Sequence, residues 1–311
     1  MSIKDTKPVV GFIGVGFMGH GLAKNILLGG YELWIKGNTN RAPIDDLVSR
    51  GAKEAMSIAD MVQHCDVIHL CLPNSDLVEQ TIRGTGGVLE TSKPGLVIID
   101  TTTSLPDSTI LLATDLAANG MSLIDAPLGR TPKEAEAGTV DAMVGGGGET
   151  VKFVEPIIEC WATTIKHIGP VGSAHKIKLV MNFLSLSFGA LYSEALSMSA
   201  KAGISPQIFR DVIGPSRMGS GFFESFMKGA VDRDPDAHKF TLSNSLKDIS
   251  YAHQMASDAH VVGVMSAAAK QYYMHANAVG GGEEYLPLIA DYVARMNGFE
   301  LAEAVEKGRT E

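Results

Sequence analysis

Cysteine is scarce in this 311-residue chain, with only Cys65, Cys71 and Cys160. Three thiols form no even disulfide framework and no CxxC pair, and each sits among apolar neighbours, so reduced thiols in a cytoplasm are expected. Basic charge is also short. Twenty-six Lys and Arg against 35 Asp and Glu leave a formal net charge of −9, so no domain-wide excess exists to displace counterions from a nucleic acid. A nucleic-acid partner is excluded, and any bound anion must meet a local site. The nine histidines lack the paired spacing of a metal site, so no metal is expected. No run approaches the roughly 20 apolar residues of a bilayer span, and Met1 to Pro8 carries charge in place of an apolar signal core. Neither a membrane partner nor a signal peptide is expected.

What is present is ample material for a core: 45% hydrophobic residues, at a length that favours two domains over one. Up to about Pro170, short β-branched runs alternate with helix-like stretches. The runs Val9 to Ile13, Glu32 to Ile35, Val67 to Leu72, Leu96 to Asp100 and Ser122 to Asp125 each end beside loop-forming residues. Successive βα units and a mostly parallel sheet follow, with ligands expected at the carboxyl ends of the strands. After Gly172 the texture changes. Ala174 to Lys201 contains no proline and one glycine, which predicts a buried helix of more than five turns, and the remainder is helix-forming. The expected fold class is α/β, with a Rossmann domain over residues 1–169 and an all-α substrate and oligomerisation domain over 170–311.

Gly14-Val15-Gly16-Phe17-Met18-Gly19 has GxGxxG spacing, follows the first strand run and opens a helical stretch. Gly14 permits the tight turn, Gly16 lets the backbone approach a pyrophosphate, and the helix N-terminus offers N–H groups to the anion. The second strand should end in an acid that holds the adenosine ribose of NAD, and none is there. The segment reads Lys36-Gly37-Asn38-Thr39-Asn40-Arg41, in which amide, hydroxyl and guanidinium groups suit a 2′-phosphate. NADP is therefore the favoured cofactor, with NAD as the alternative.

Gly11 to Gly19 with Ala23 and Asn25 closely resembles the opening of the β-hydroxyacid dehydrogenases, the family of 3-hydroxyisobutyrate, tartronate semialdehyde and sulfolactaldehyde reductases. Leu72-Pro73-Asn74, Asp100 to Pro106, Asp125-Ala126-Pro127, Gly169-Pro170-Val171-Gly172 leading to Lys178 and Asn182, and Phe240 with Lys247-Asp248 agree in order and spacing. The resemblance implies a long interdomain helix and a homodimer or homotetramer. It makes Lys178 the proton donor and acceptor at the substrate oxygen and Asn182 its orienting partner. Leu72, Pro73, Thr103 and Lys247 join the cofactor wall, and Phe240 and Asp248 the substrate wall. Two positions depart from the usual pattern. The family's Ser-Gly-Gly is here Gly129-Arg130-Thr131, as in sulfolactaldehyde reductases, and the Asn common three residues after the lysine is Met181.

The residues make part of this case unaided. Lys178, Asn182 and Ser185 fall at offsets of 0, 4 and 7, one stripe of a helix, whereas Lys176 lies about 200° around it at about 100° per residue. Hydride reduction of an aldehyde leaves an alkoxide, and a partly desolvated ammonium both stabilises that charge and donates a proton. Leu128-Gly129-Arg130-Thr131 follows a strand end, where Gly129 frees the backbone and Arg130 can fork onto a carboxylate or sulfonate. A structural pairing of Arg130 with Glu134 or Glu136 is the competing reading, and Ser185 is expected to assist at the same anion. The expected activity is reversible NAD(P)H-dependent reduction of a short acid semialdehyde to its hydroxyacid, sulfolactaldehyde being favoured. Succinic semialdehyde and a 3-hydroxyisobutyrate-like substrate are the alternatives. A non-catalytic NADP-binding sensor would not need Lys178 and Asn182, and imine reduction on a related fold usually lacks the lysine.

Overall fold

The computed structural model describes residues 7–37 and 40–310. Asn38, Thr39 and the first six residues, on which expectations were placed above, lie outside them. The chain divides into two compact units, Met1–Lys178 and Leu179–Glu311. The division falls within a helix, later than the expected boundary at Gly169.

In the first unit the strands are β1 (Val10–Ile13), β2 (Leu33–Lys36), β3 (Lys53–Glu54), β4 (Val67–Leu70), β5 (Val97–Asp100), β6 (Ser122–Asp125), β7 (Leu128–Gly129), β8 (Val140–Gly145) and β9 (Ala162–Gly169). The helices between them are α1 (Gly19–Leu28), α2 (Ala42–Ser49), α3 (Ile58–His64), α4 (Ser75–Arg83), α5 (Val88–Thr91), α6 (Pro106–Ala118), α7 (Pro132–Ala137) and α8 (Gly148–Ile158). The strands form one sheet in the order β3-β2-β1-β4-β5-β6-β8-β7, with β9 on β8. From β3 to β6 all neighbours are parallel, and β8 runs antiparallel to β6 and β7. This is the dinucleotide-binding order, in which the chain reverses direction across the sheet beside β1 and opens a crevice there.

The central strands read as continuous apolar runs because both of their faces are covered. Val10, Phe12, Val67, Val97, Ile99 and Ile124 enter one core with Leu22 and Ile26 of α1. Ile13, Ile68, Leu70, Ile98 and Leu123 enter the other, with Val78 of α4 and Leu112 of α6. Alternation along each strand thus fixes its register against both helix layers.

The helix α9 (Ser173–Lys201) begins in the first unit and continues into the second. By length and mean hydropathy, 1.3 over its most apolar window, it would suffice to cross a bilayer, which corrects the expectation that no run comes close. The core helix of a soluble protein can be equally long and apolar. Nor is it buried on every side, for Leu184 and Phe188 are exposed. The second unit continues through α10 (Pro206–Ile213), α11 (Gly221–Ala230), α12 (Leu242–Asp258), α13 (Val264–Ala278), α14 (Ile289–Met296) and α15 (Leu301–Thr310). Its core gathers Phe223, Phe226, Tyr273, Leu286 and Val293, and the buried Tyr273 hydroxyl donates to the Leu186 carbonyl at 2.7 Å.

Candidate active site

The glycine loop joins β1 to α1. Gly14 has φ +101°, and a Cβ there would lie 2.1 Å from the Cys71 carbonyl oxygen, so only glycine fits the turn. Gly16 faces open space on its Cβ side. Val15 is buried, Met18 packs on the core, and Phe17 projects at 85% exposure. The first turn of α1 has no side-chain cap and no acid, and although the His20 N–H donates to the Gly16 carbonyl at 2.9 Å, the positive end of the helix faces the loop. These features fit the pyrophosphate of a nicotinamide dinucleotide. Beside the loop, the Leu72 N–H donates to Thr102 Oγ1 at 3.0 Å, which ties the ends of β4 and β5 together. Pro73 and Thr103 stand at those same two strand ends.

At the adenosine end, Arg41 is already engaged. Its Nη1 and Nη2 donate to Glu54 at 2.6 and 2.9 Å, and Nη2 also reaches Asp45 at 3.0 Å. Hydrogen bonding to Arg41 holds the Glu54 carboxyl below its ordinary range. Glu54, on β3 next in the sheet, thus holds Arg41 beside the end of β2, and Gly37 leaves room for its carboxylate.

Two aspartates close β5 and β6 as direct cross-strand partners, Asp100 opposite Asp125, and both are fully buried. Asp125 accepts the backbone N–H groups of Gly172 at 2.7 Å and His175 at 2.8 Å, which anchors the start of α9 to the sheet. The Thr109 hydroxyl lies 2.8 Å from His175 Nδ1. Burial raises the Asp100 carboxyl above its ordinary value, although the Thr102 N–H donates to it at 2.9 Å. His175 is part of this anchor.

One turn along α9, the Lys178 ammonium donates to the Leu128 carbonyl at 2.7 Å. This contact brings the lysine to the Leu128-Gly129-Arg130-Thr131 loop. Arg130 takes φ +70°, a left-handed conformation that a non-glycine residue adopts only at a cost, and position 130 is where the family pattern has glycine. Its guanidinium forks onto Asp141 at 2.8 and 2.9 Å. Asp141 lies opposite Gly129 across the β7·β8 ladder. This is a structural pairing, as in the competing reading, but with neither of the glutamates named there. Glu134 accepts from the Thr131 hydroxyl and N–H at the start of α7, and Glu136 pairs with His20 and Lys24. Thr131, expected at the substrate, is thus engaged in capping its own helix.

In the second unit, Asn182 Nδ2 donates to Asp248 Oδ2 at 2.6 Å, and Lys247 Nζ lies 3.1 Å from the other carboxylate oxygen. Asp248, expected at the substrate wall, is only 1% exposed. Ser185 turns its hydroxyl back onto the Asn182 carbonyl at 3.2 Å. Phe240 packs half-buried against the second core. Lys178, Asn182 and Ser185 keep their offsets of 0, 4 and 7 on one unbroken helix. Sequence reasoning missed Glu54 and Asp141, whose roles depend on strand register.

Comparison with known proteins identifies the family. Residues 9–169 match the NAD-binding domain of 6-phosphogluconate dehydrogenase, and residues 172–289 match the NAD-binding domain of NADP-dependent 3-hydroxyisobutyrate dehydrogenase. The chain is 30% identical to 2-(hydroxymethyl)glutarate dehydrogenase of Eubacterium barkeri, over 94% of this chain and 97% of that one. It is also 30% identical to 3-sulfolactaldehyde reductase of Escherichia coli, over 91% and 95%. A crystal structure of 3-hydroxyisobutyrate dehydrogenase from Salmonella typhimurium superposes with a TM-score of 0.80 at 24% identity, covering 90% of this chain and 98% of that one. The chain belongs to the β-hydroxyacid dehydrogenase family and is an NAD(P)-dependent oxidoreductase acting on CH–OH groups.

Proposed function

We propose that this enzyme reduces a short acid semialdehyde to its hydroxyacid, reversibly, with Lys178 exchanging the proton at the substrate oxygen. The bound nicotinamide supplies or accepts the hydride. The observation that carries the reading is the Lys178–Leu128 contact, because it joins a proton donor to the loop whose third residue is Arg130. Lys178 donates to a backbone carbonyl that cannot take its proton, so the ammonium is held in position with the proton retained. As the aldehyde oxygen gains charge, it becomes the stronger acceptor and draws that proton. Asn182, whose amide donates to Asp248, is the orienting partner of the lysine, and Arg130 grips the acid group of the substrate. Sulfolactaldehyde is the favoured substrate, supported by the Gly-Arg-Thr loop and by the sulfolactaldehyde reductase among the relatives. Succinic semialdehyde and a 3-hydroxyisobutyrate-like acid follow.

NADP(H) is the proposed cofactor. Arg41 must leave Glu54 and Asp45 to reach a 2′-phosphate, and exposed pairs of this kind hold weakly, so the preference over NAD(H) is small. The enzyme works in the cytoplasm as a homodimer or homotetramer, and the exposed Val261 and Val262 before α13, with Val264 and Met265 in its first turn, support the assembly. The test is a panel of semialdehydes followed by absorbance of the reduced nicotinamide. Turnover of uncharged aldehydes alone, or no turnover of any acid aldehyde, would refute the substrate class.

A further inference from the structure

Arg130 is the residue through which the loop is read as meeting an acid, yet the Nε/Nη2 edge of its guanidinium already carries a carboxylate. Asp141 Oδ2 accepts from Nε at 2.8 Å and Oδ1 from Nη2 at 2.9 Å, the parallel two-bond geometry that a free carboxylate or sulfonate would itself adopt. The partner is fixed by the fold, since Asp141 sits on β8 directly opposite Gly129 of β7. A Cβ on Gly129 would lie 3.3 Å from the Asp141 Cβ, so the two strands approach closely at this point. The alternative acids are engaged elsewhere, Glu134 with Thr131 and Glu136 with His20 and Lys24. Arg130 also holds a backbone conformation in which glycine would be easier, so this particular side chain is presented against a local cost.

We propose that Asp141 is a specificity-determining residue: an internal carboxylate that occupies the Nε/Nη2 edge of Arg130 and competes for it with the acid group of the substrate. The inference rests on the reading of Arg130 as the residue that grips that group. Arg130 and Asp141 together carry no net charge, so an approaching anion meets a neutral pair, not a bare cation. A weak or misplaced anion gains nothing by exchanging one carboxylate for another. An acid group that also places its aldehyde at Lys178 gains the remaining contacts and wins the exchange. Both partners are half-exposed, and exposed ion pairs are individually weak, so displacement is easy enough to occur within turnover. Hydrogen bonding to Arg130 holds the Asp141 carboxyl below its ordinary range, and the competitor therefore stays charged at neutral pH. Selectivity then comes from competition, a form of discrimination that needs an unfavourable element as well as an attractive one.

The test compares KM and kcat for succinic semialdehyde and sulfolactaldehyde, with butanal as an uncharged probe, in wild type, Asp141→Asn, Asp141→Ser and Arg130→Gly. Removing the competing charge should lower KM for the acid aldehydes about two- to five-fold, the range of an exposed pair, with kcat and the butanal constants unchanged. In the Arg130→Gly background, Asp141→Asn should have no effect. If Arg130→Gly raises KM for the acids but both Asp141 variants leave it unchanged or raise it, Asp141 is a support for Arg130 and the competition is refuted. If Arg130→Gly itself leaves the acid constants unchanged, the reading of Arg130 fails and the inference falls with it. Asp141 is half-exposed, and unchanged cofactor affinity in both variants establishes that they are folded.

Discussion

Asn182 donates its amide to a carboxylate that solvent barely touches, Asp248, at 2.6 Å. Asp248→Ala leaves that amide without its acceptor, at a cost of about 1–3 kcal/mol of stability. Asp248→Asn keeps a carbonyl oxygen at the site and should lose less. We expect kcat to fall in the order wild type, Asn, Ala while the cofactor dissociation constant holds. Denaturant melts and single-turnover rates measure the two effects separately, and an Ala variant with wild-type kcat would remove Asp248 from any positioning role.

Lys178→Ala should lower kcat by roughly 10²–10⁴-fold, the usual contribution of a placed general acid, with cofactor affinity nearly intact. Lys176→Ala should change little, because position 176 is exposed on another face of α9. Equal behaviour of the two variants in steady-state assays would contradict the assignment of the proton donor.

Arg41 and Glu54 predict opposite changes at the cofactor. Glu54→Gln removes a competing carboxylate and should strengthen NADPH binding several-fold, while Arg41→Ala weakens NADPH selectively and leaves NADH nearly unchanged. Calorimetric titration of both nucleotides decides it. Wild-type affinity for NADH equal to or above that for NADPH would end the proposed preference.

His69 is a stability site. It stacks on Phe12 at 4.4 Å and meets Trp161 edge-on, and both ring nitrogens are buried. Burial pushes its pKa down to about 3, so the folded state holds it neutral. An unfolded histidine takes a proton near pH about 6.5, which makes its stabilising contribution complete above that pH and progressively lost down to about 3. His69→Phe keeps the stack and removes the titration. Its melting temperature should fall less steeply than that of wild type between pH 6.5 and 4, and parallel curves would refute the assignment.

The central sheet was legible because its strands are covered on both faces, so Val67 to Leu72 and Leu96 to Asp100 stand out as apolar runs. The edge was not. β3 and β7 have two residues each, too few for any pattern, and β9 carries exposed side chains at most positions. That difference explains the site as well. Lys178, Asn182 and Ser185 could be found by helical spacing, which is local in sequence. Glu54 reaches Arg41 through β3, and Asp141 reaches Arg130 through its pairing with Gly129. Those relationships exist only once register is known. The Asp125 motif was visible, but its attachment to Gly172 and His175 bridges 47 and 50 residues of sequence.

The left-handed backbone at Arg130 has a consequence for engineering. The tripeptide 129–131 is bracketed by a strand pairing on one side and a self-capped helix on the other, so its ends are fixed independently of its side chains. Glycine at the middle position relaxes the backbone, and other residues inherit the same penalty that arginine already tolerates. A small library that varies positions 130 and 141 together would treat this segment as an exchangeable cassette. Selections on aldehydes bearing different acid groups would then retune recognition with the lysine and the sheet behind it left intact.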